Sequence, residues 1–482
     1  VLEGLFLALT PMNLMLAAAG ALIGTLVGML PGIGPINAIA LLIPFTLAVD
    51  LPPASVLILL AAIYYGSQYG NSISTILLNI PGTASATVTA IDGYALTKKG
   101  EAESALATSA LASFFGGTVS IAGLAFLSPV LSRAALGFGP AEYFALMVLA
   151  MVLLSTLSGG STVRAIGSAL IGLALATVGF DPNSAVPRYT FGQLRLLDGI
   201  DFVVLTIGLF AVSEVLLAMA DPSRASEPPA VSRPVLPEWL STLPTMIRGT
   251  VVGFFVGVLP GAGGTVASFA AYAVEKKLHP RLGSGDARGV AAPEAANNAA
   301  ATGAMIPLLS LGVPGSGTTA VLLGALLAIG IEPGPLFFSA HPELFWALCA
   351  SMVAGNAALL ALNLPLVHLF VKILRVPPWC LQTLVVMLST VAVYAVNRST
   401  FDIVVMTVAG IAGYGLRRHG FPLAPVVLGF VLGGLMEKSL RRAMAISGGG
   451  WEIVYSSPLA IGIWVLAGAV LTAPLWLKPN DG

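Results

Sequence analysis

Charge is the scarcest property of this chain. Only 22 Lys and Arg and 22 Asp and Glu stand among 482 residues, 9% of the total, against roughly 25% in a soluble globular domain. So few ionisable groups cannot cover a water-facing surface. The two signs balance and no basic stripe follows a helix, so no nucleic acid is expected as a partner. Cysteine is nearly missing. Cys349 and Cys380 lie far apart, in or beside apolar segments, and read as small buried hydrophobes rather than a disulfide or metal pair. His279, His341, His368 and His419 show no ligand spacing, so no metal site of the transition-metal kind is expected.

Catalytic signatures are missing too. There is no GxxxxGK[ST] phosphate loop, and Gly32-Ile-Gly34-Pro35 lacks the third glycine of a dinucleotide fingerprint. Gly283-Ser-Gly-Asp286 matches the GxGD pattern of intramembrane aspartyl proteases, but it sits in a polar loop with no second aspartate in mid-helix. Gly312-Val-Pro-Gly-Ser316-Gly317 is near in form to a serine-protease motif, with no histidine in a defined relation to it. The chain is expected not to be an enzyme and to need no cofactor.

What the chain has is hydrophobic length. Apolar residues make up 57% and fall in long runs, among them Met12 to Leu30, Ala141 to Leu157, Asp201 to Ala220, Trp379 to Val396 and Pro458 to Leu475. A bilayer core about 30 Å thick needs about 20 residues of helix, and by that measure the chain has about 12–14 membrane segments. The runs are continuous and rich in Leu and Ala, which excludes the alternation of a β-barrel. Met12 to Leu30 has no basic n-region and no small-residue cleavage site, so it reads as a membrane helix rather than a signal peptide. The expected fold is an all-α polytopic membrane protein set in a lipid bilayer.

One polar, Pro-rich stretch interrupts this pattern. Residues 221–240 read as a linker, dividing a first transmembrane unit, 1–220, from a second, 241–482. The two units share motifs. Gly24 to Gly34 and Gly253 to Gly263 both read GxxxGxLPGxG, and Tyr69 to Thr83 sets against Thr302 to Ser316, each ending in Pro-Gly and a hydroxyl residue. The separation of the two landmarks is a few residues greater in the second copy, an excess assigned to the loop His279 to Arg288, where insertion is tolerated. Two motifs in one order at matched spacing point to two homologous repeats.

The Pro-Gly landmarks are also where chemistry is expected. Proline removes a backbone donor, and a helix broken inside an apolar segment frees N–H and C=O groups that lipid cannot satisfy. Transporters aim such half-helix ends at anionic groups and use unwound carbonyls for Na⁺. Four breaks qualify: Pro31-Gly32, Pro81-Gly82, Pro260-Gly261 and Pro314-Gly315, each among small hydroxyl or amide residues. In the functional reading these groups bind a carboxylate through N–H and hydroxyl donors. In the competing one, Gly, Ser and Thr let helices pack closely and proline kinks them.

Ionisable residues within apolar segments are few. Glu294 is expected at a helix start, where capping electrostatics and a coupling role compete. Asp92 and Lys98-Lys99 are expected at a membrane edge, and Arg164 and Glu214 either face a cavity or snorkel. Basic residues at Lys98-Lys99, Lys276 to Arg288, Lys372 and Arg375, Arg417-Arg418 and Lys438 to Arg442 mark candidate cytoplasmic loops. The last two bracket one short apolar stretch, Phe421 to Met436, so a single crossing there conflicts with that rule.

GTLVGMLPGIGP (Gly24 to Pro35), YYGSQYGNSISTILLNIPGTASATVTAIDGYALTKKG (Tyr64 to Gly100), GFFVGVLPGAGG (Gly253 to Gly264) and LGVPGSG (Leu311 to Gly317) closely resemble the large membrane subunit of bacterial tripartite tricarboxylate transporters, the TctA family. The resemblance covers nearly the whole chain. It implies an elevator-type carrier of two inverted repeats with broken or re-entrant helices, in the bacterial inner membrane. It implies a small membrane subunit (TctB-like) and a periplasmic solute-binding protein (TctC-like) as partners, and Na⁺ or H⁺ as the coupling ion in place of ATP. The solute implied is a small carboxylate such as citrate or another di- or tricarboxylate. Carried onto matching positions, the solute site comprises Pro31, Gly32, Gly34, Asn37, Asn79, Pro81, Gly82, Thr83 and Ser85 in the first copy. In the second it comprises Gly261, Gly263, Thr265, Pro314, Gly315, Ser316, Gly317 and Thr318. The ion is assigned to Asn71, Ser72, Asn297, Asn298 and Thr302. Some relatives carry a longer or more acidic tip after Pro81-Gly82, whereas here Thr83-Ala84-Ser85 is small and neutral. A channel-like or solute-sensing membrane component without concentrative transport is the alternative reading.

Overall fold

The computed structural model describes residues 1–30, 34–157, 161–181, 184–220, 239–373 and 378–476. Among them the chain is helical apart from short connections and a two-residue antiparallel ladder, Gly179–Phe180 with Pro187–Arg188. Seven helices are long and apolar enough to cross a bilayer, and six shorter apolar helices accompany them. The chain is therefore an all-α, multi-pass membrane protein. Full-length helices are fewer than the about 12–14 segments that hydrophobic length predicts. Part of the difference lies in helices that begin at a Pro-Gly break and stop short, such as Pro35–Ala48 and Gly317–Ala328.

Ten helices position the candidate site. In the first half these are α1 (Pro11–Gly28), α2 (Pro35–Ala48), α3 (Pro53–Leu78), α4 (Thr89–Lys98) and α5 (Ala102–Ala135). In the second they are α6 (Trp239–Val258), α7 (Gly263–Leu278), α8 (Ala287–Gly303), α9 (Met305–Leu311) and α10 (Gly317–Ala328). Every residue of α3 from Ala54 to Leu77 is buried, as is every residue of α8 from Gly289 to Gly303. Both carry Asn, Ser, Thr or Gln among small residues. Such helices cannot face lipid without exposing polar groups to hydrocarbon, and here the surrounding helices cover them.

Glycine sets how closely α3 and α8 are held. In α1, a Cβ at Gly20, Gly24 or Gly28 would run into the carbonyl oxygen of Leu59, Ile63 or Ser67 on α3. In α6, a Cβ at Gly249, Gly253 or Gly257 would meet the carbonyl oxygen of Ala292, Ala296 or Ala300 on α8. Even the loosest of these approaches, at Gly20 and Gly249, leaves only 2.7 and 2.6 Å. The reverse contact is matched as well, Gly70 facing Thr25 and Gly303 facing Phe254. Corresponding contacts are offset by 229 residues on the first helix of each pair (Gly24 to Gly253) and by 233 on the second (Ile63 to Ala296). Small residues that let backbones touch gain dispersion contacts where lipid supplies no hydrophobic drive.

The four extra residues fall in the loop between α7 and α8, and that loop is not a free insertion. Asp92 of α4, fully buried, accepts from the backbone N–H groups of Gly283 (2.9 Å to either oxygen), Gly285 (2.8 Å) and Asp286 (3.0 Å), and from the Tyr272 hydroxyl (2.9 Å). The GxGD segment is thus a cradle for a carboxylate of the other half. Gly283 and Gly285 adopt φ +102° and +89° there, a conformation that L side chains rarely adopt. Asp286 caps α8 by accepting from Arg288 N (2.9 Å) and pairs with its guanidinium (2.8 Å).

Other expectations about charge are adjusted. Glu214 pairs with Arg417, and Arg164 lies against Gly420. Lys438 to Arg442 belong to a continuous helix, Leu423–Ile446, so they do not form a loop flanking Phe421 to Met436. Arg441 there pairs with Asp181 and with Glu437 (2.6 Å), and Glu437 also pairs with Arg188 (2.8 Å). Cys349 is buried and Cys380 half-buried. Of the 221–240 linker, residues 221–238 lie outside the described residues, and Trp239 opens α6.

Two outcomes are expected from these contacts. Gly24→Val and Gly253→Val each force a helix pair apart, and overpacking of this kind costs about 1–3 kcal/mol; both should lower the melting temperature in detergent in the same direction. Asp92→Asn turns an NH₂ toward backbone donors and should cost about 2–3 kcal/mol, read as a lower melting temperature and faster proteolysis within residues 279–288. Wild-type stability in either set would contradict the packing described.

Candidate functional site

The second Pro-Gly of each half has the same backbone course. α3 ends at Asn79, left-handed at φ 56° and ψ 29°, and the chain then extends through Thr83 (φ −139°, ψ 161°) into a short 3-10 turn, Ala84–Ala86. α9 ends at Gly312, left-handed at φ 68° and ψ 21°, and the chain extends through Ser316 (φ −158°, ψ 170°) into α10. Asparagine and glycine are the residues that close a helix in this way. Ser316 and Thr319 form a capping box: the Ser316 N–H donates to Thr319 Oγ1 (2.8 Å) and the Thr319 N–H to Ser316 Oγ (3.2 Å). The N–H groups of Gly317 and Thr318, in the first turn, have no acceptor within the helix.

The two tips cross between the halves. Thr83 lies beside Gly34, and Ser316 beside Gly263, each at 3.7 Å from a Cβ built on the glycine. Ser85 also approaches Gly264 of the second half (3.6 Å), and Gly317 approaches Ile36 of the first (3.1 Å). Below the tips, Gln68 joins α3 to α8. Its Oε1 accepts from Asn71 Nδ2 (3.2 Å) and from Asn297 Nδ2 (3.0 Å). Asn71 Nδ2 also donates to Thr83 Oγ1 (2.8 Å), which shares a hydrogen bond with Ser85 Oγ (2.9 Å). One polar chain thus runs from Ser85 through Thr83, Asn71 and Gln68 to Asn297.

This arrangement gathers Gly34, Thr83, Ser85, Gly263, Ser316, Gly317, Asn71 and Asn297 of the residues expected from the sequence. Others stand outside this chain of contacts. Gly261 (φ +85°) is pressed against the backbone of Leu153 and Leu154, and its N–H donates to Gly315 O (2.9 Å), with Pro314 and Gly315 buried beside it. A Cβ at Gly82 would meet the carbonyl of Gly28. Asn37 and Thr318 are buried and Thr265 half-buried near the helix starts. Asn79 and Pro81 line a separate cavity of about 380 Å³ with Thr87, Tyr94 and Lys98. Asn298 donates to Glu294 O (3.0 Å) and Thr302 to Asn298 O (3.3 Å), both along α8. Pro31 and Gly32 lie outside the described residues.

Glu294 is not at a helix start. It sits in the eighth position of α8, fully buried, with Asp286 as the true cap. Thr89 Oγ1 of α4 donates to its Oε1 (2.7 Å) and Ser113 Oγ of α5 to its Oε2 (3.3 Å). Ser72 joins this group rather than Asn71, accepting from Ser109 Oγ of α5 (2.7 Å). Gln68 and Gly264 are the site residues that sequence comparison passes over. At the offset of 233, Gln68 falls opposite Ala301, so no amide stands at the matching position of the second half. The available signal was an amide in the middle of a buried helix.

The chemistry divides in two. Thr83, Ser85, Ser316 and the first-turn N–H groups of α10 offer donors, which suits an anion at a helix N-terminus. The amide oxygens Oδ1 of Asn71, Asn297 and Asn298 are buried without a hydrogen-bond partner among the described residues, which suits a cation or a donor hydroxyl. No cluster of His, Cys, Asp and Glu able to hold a metal occurs among the described residues.

Comparison with known proteins bears on the family of the chain. An uncharacterised 52.8 kDa protein of the TAR-I ttuC' 3'region of Agrobacterium vitis is 46% identical over 466 residues, 95% of this chain and 92% of that protein. A second uncharacterised protein, of the TAR-II ttuC' 3'region of the same organism, is 46% identical over 214 residues, 44% of this chain and 88% of that protein. No solved structure matches. The model of the tripartite tricarboxylate transporter TctA family matches residues 14–428, and the chain belongs to that family.

Proposed function

We propose that this protein is the large subunit of a binding-protein-dependent tripartite carrier that takes up a small carboxylate across the bacterial inner membrane. Its partners are a small membrane subunit (TctB-like) and a periplasmic solute-binding protein (TctC-like). The solute is a di- or tricarboxylate such as citrate, and a Na⁺ or H⁺ gradient drives its entry. Two homologous, inverted repeats, 1–220 and 241–482, each contribute a broken-helix tip to an elevator-type carrier.

The observation that carries this reading is the reach of each tip into the other half. Ser85 of the first tip approaches Gly264 of the second half, and Gly317 of the other approaches Ile36 of the first. The matched glycine-to-carbonyl contacts of α1 with α3 and of α6 with α8 support a duplicated unit, which is the habit of carriers. A carboxylate held by hydroxyls and N–H groups needs no buried arginine, so the site stays close to neutral when empty. That matters to a carrier, because an unpaired charge carried through the membrane is costly.

Proteoliposomes containing the chain, the small subunit and the binding protein should accumulate labelled citrate, or another di- or tricarboxylate from a panel, against its gradient. Flux that only dissipates a gradient would contradict the carrier. Thr83→Val and Ser316→Ala remove a hydroxyl at little change in size. A hydrogen bond to a charged group is worth about 1.5–3 kcal/mol, so each should weaken apparent affinity by about tenfold or more with the protein still folded. Unchanged uptake in both would assign the hydroxyls to packing.

A further inference from the structure

The molecule buries two acidic side chains between its halves, Asp92 and Glu294, both 0% exposed, and surrounds them with opposite kinds of partner. Asp92 meets three backbone N–H groups and a tyrosine hydroxyl. Backbone N–H groups only donate, so a proton placed on Asp92 would face hydrogens. Glu294 meets hydroxyls only. Thr89 and Ser113 donate to its two oxygens, and Ser72 and Ser109 complete the group. A hydroxyl both donates and accepts, and its hydrogen rotates. Hydroxyls of this kind can therefore satisfy a carboxylate by donating, as Thr89 and Ser113 do here, or a carboxylic acid by accepting its proton.

No lysine, arginine or histidine pairs with Glu294 among the described residues. Of the titratable groups on helices packed against α8, Tyr69 of α3 faces it. Others are engaged away from it: Asp92 with Tyr272 and the loop, Tyr65 with Ser351 O, Lys98 over the Tyr94 ring, Lys276 with Leu282 O, Arg248 and His279 with Glu275, and Arg288 with Asp286. Glu103 and Arg133 stand at the two ends of α5, away from Ser109 and Ser113. A lone buried charge with no counter-ion is strongly disfavoured, so Glu294 requires a bound cation. Na⁺ takes several oxygens and in carriers draws on unwound carbonyls, whereas α8 is continuous helix from Ala287 to Gly303. A proton needs only the carboxyl and an acceptor.

We infer that Glu294, in its cage of Thr89, Ser72, Ser109 and Ser113, is a proton-binding site, and that the coupling ion of this carrier is H⁺ carried there. The inference rests on the proposed carrier and names its ion. One proton adds to a carboxylate oxygen from one side of the membrane and leaves to the other, with no other bond changed. The position suits coupling to the solute. Asn297, at the tip network, lies one turn along α8, and Ser72 follows Asn71 and lies one turn from Gln68 on α3. Protonation that reorients Ser72 or Tyr69 thus acts on the same two helices that hold the tips.

Two measurements test this, one of them independent of transport. Infrared difference spectra of the purified, lipid-reconstituted chain between acidic and alkaline buffer should show a protonated-carboxyl C=O band that Glu294→Gln removes and Glu294→Asp keeps at a shifted position. A band unchanged in Glu294→Gln would overturn the assignment. In proteoliposomes with both partner proteins, labelled citrate should enter with protons, read by an internal pH dye. Glu294→Gln should keep citrate counterflow but lose both the proton signal and accumulation, about tenfold for each unit of imposed pH gradient. Glu294→Asp should retain part of both. Accumulation in Glu294→Gln equal to wild type, or wild-type accumulation that follows a Na⁺ gradient without proton entry, would overturn the site. Absence of citrate counterflow in the wild type would instead overturn the carrier reading, and the infrared titration would still decide whether Glu294 binds a proton.

Discussion

The rest of the structure depends on two helix backbones being allowed to touch. A membrane gives helices little reason to associate, since lipid tails are as apolar as leucine. Attraction has to come from close packing, and close packing needs residues without side chains. Gly20, Gly24 and Gly28 on α1, and Gly249, Gly253 and Gly257 on α6, meet that need by receiving the carbonyl ridge of α3 or α8. A helix held by its backbone cannot slide or turn without a collision. Polar side chains on its other faces, Gln68 and Asn71 on α3, Glu294 and Asn297 on α8, are thereby aimed inward at fixed depth.

That rigidity gives the broken tips their value. Each tip is a short extended segment between a left-handed residue and a new helix start, and by itself such a segment would expose unsatisfied backbone groups to lipid. Here each is wedged between halves. The first is stitched to α3 by Asn71 and Thr83, and the second closes its own capping box. Near the tips some groups remain unsatisfied: first-turn N–H groups of α10 and the amide oxygens of Asn71 and Asn297. A protein that leaves such groups inside a membrane needs something to fill them, and the chain belongs to a family of tripartite tricarboxylate transporters.

The two buried acids show how partner chemistry separates scaffold from function. Both join the halves, Asp92 by reaching from α4 into the loop before α8, and Glu294 by reaching from α8 toward α4 and α5. N–H donors around Asp92 leave it one role, that of a clamp. Hydroxyls around Glu294 leave two protonation states open. Burial alone would have treated them alike.

Read from residues alone, the chain already disclosed its class, its helical content and its points of interest. Low charge and long apolar runs are summed properties that no tertiary arrangement can reverse, and Pro-Gly inside a membrane segment breaks a helix by local covalent geometry. Repetition of GxxxGxLPGxG marked the glycine faces and the first break of each half for the same reason. Thr83, Ser85 and Ser316 were legible because they sit next to the second break of each half. Gln68, Gly264 and the cage around Glu294 were not, since their partners lie as many as 229 residues away, as Asn297 does from Gln68. Nor could the sequence tell that Gly261, Pro314 and Gly315 are packed rather than open, or that the Gly283–Asp286 loop exists to hold Asp92. Local chemistry determined where the helices stop; only the docking of two glycine-faced helix pairs decided which of the freed groups meet, because meeting requires backbones brought within reach across the whole chain.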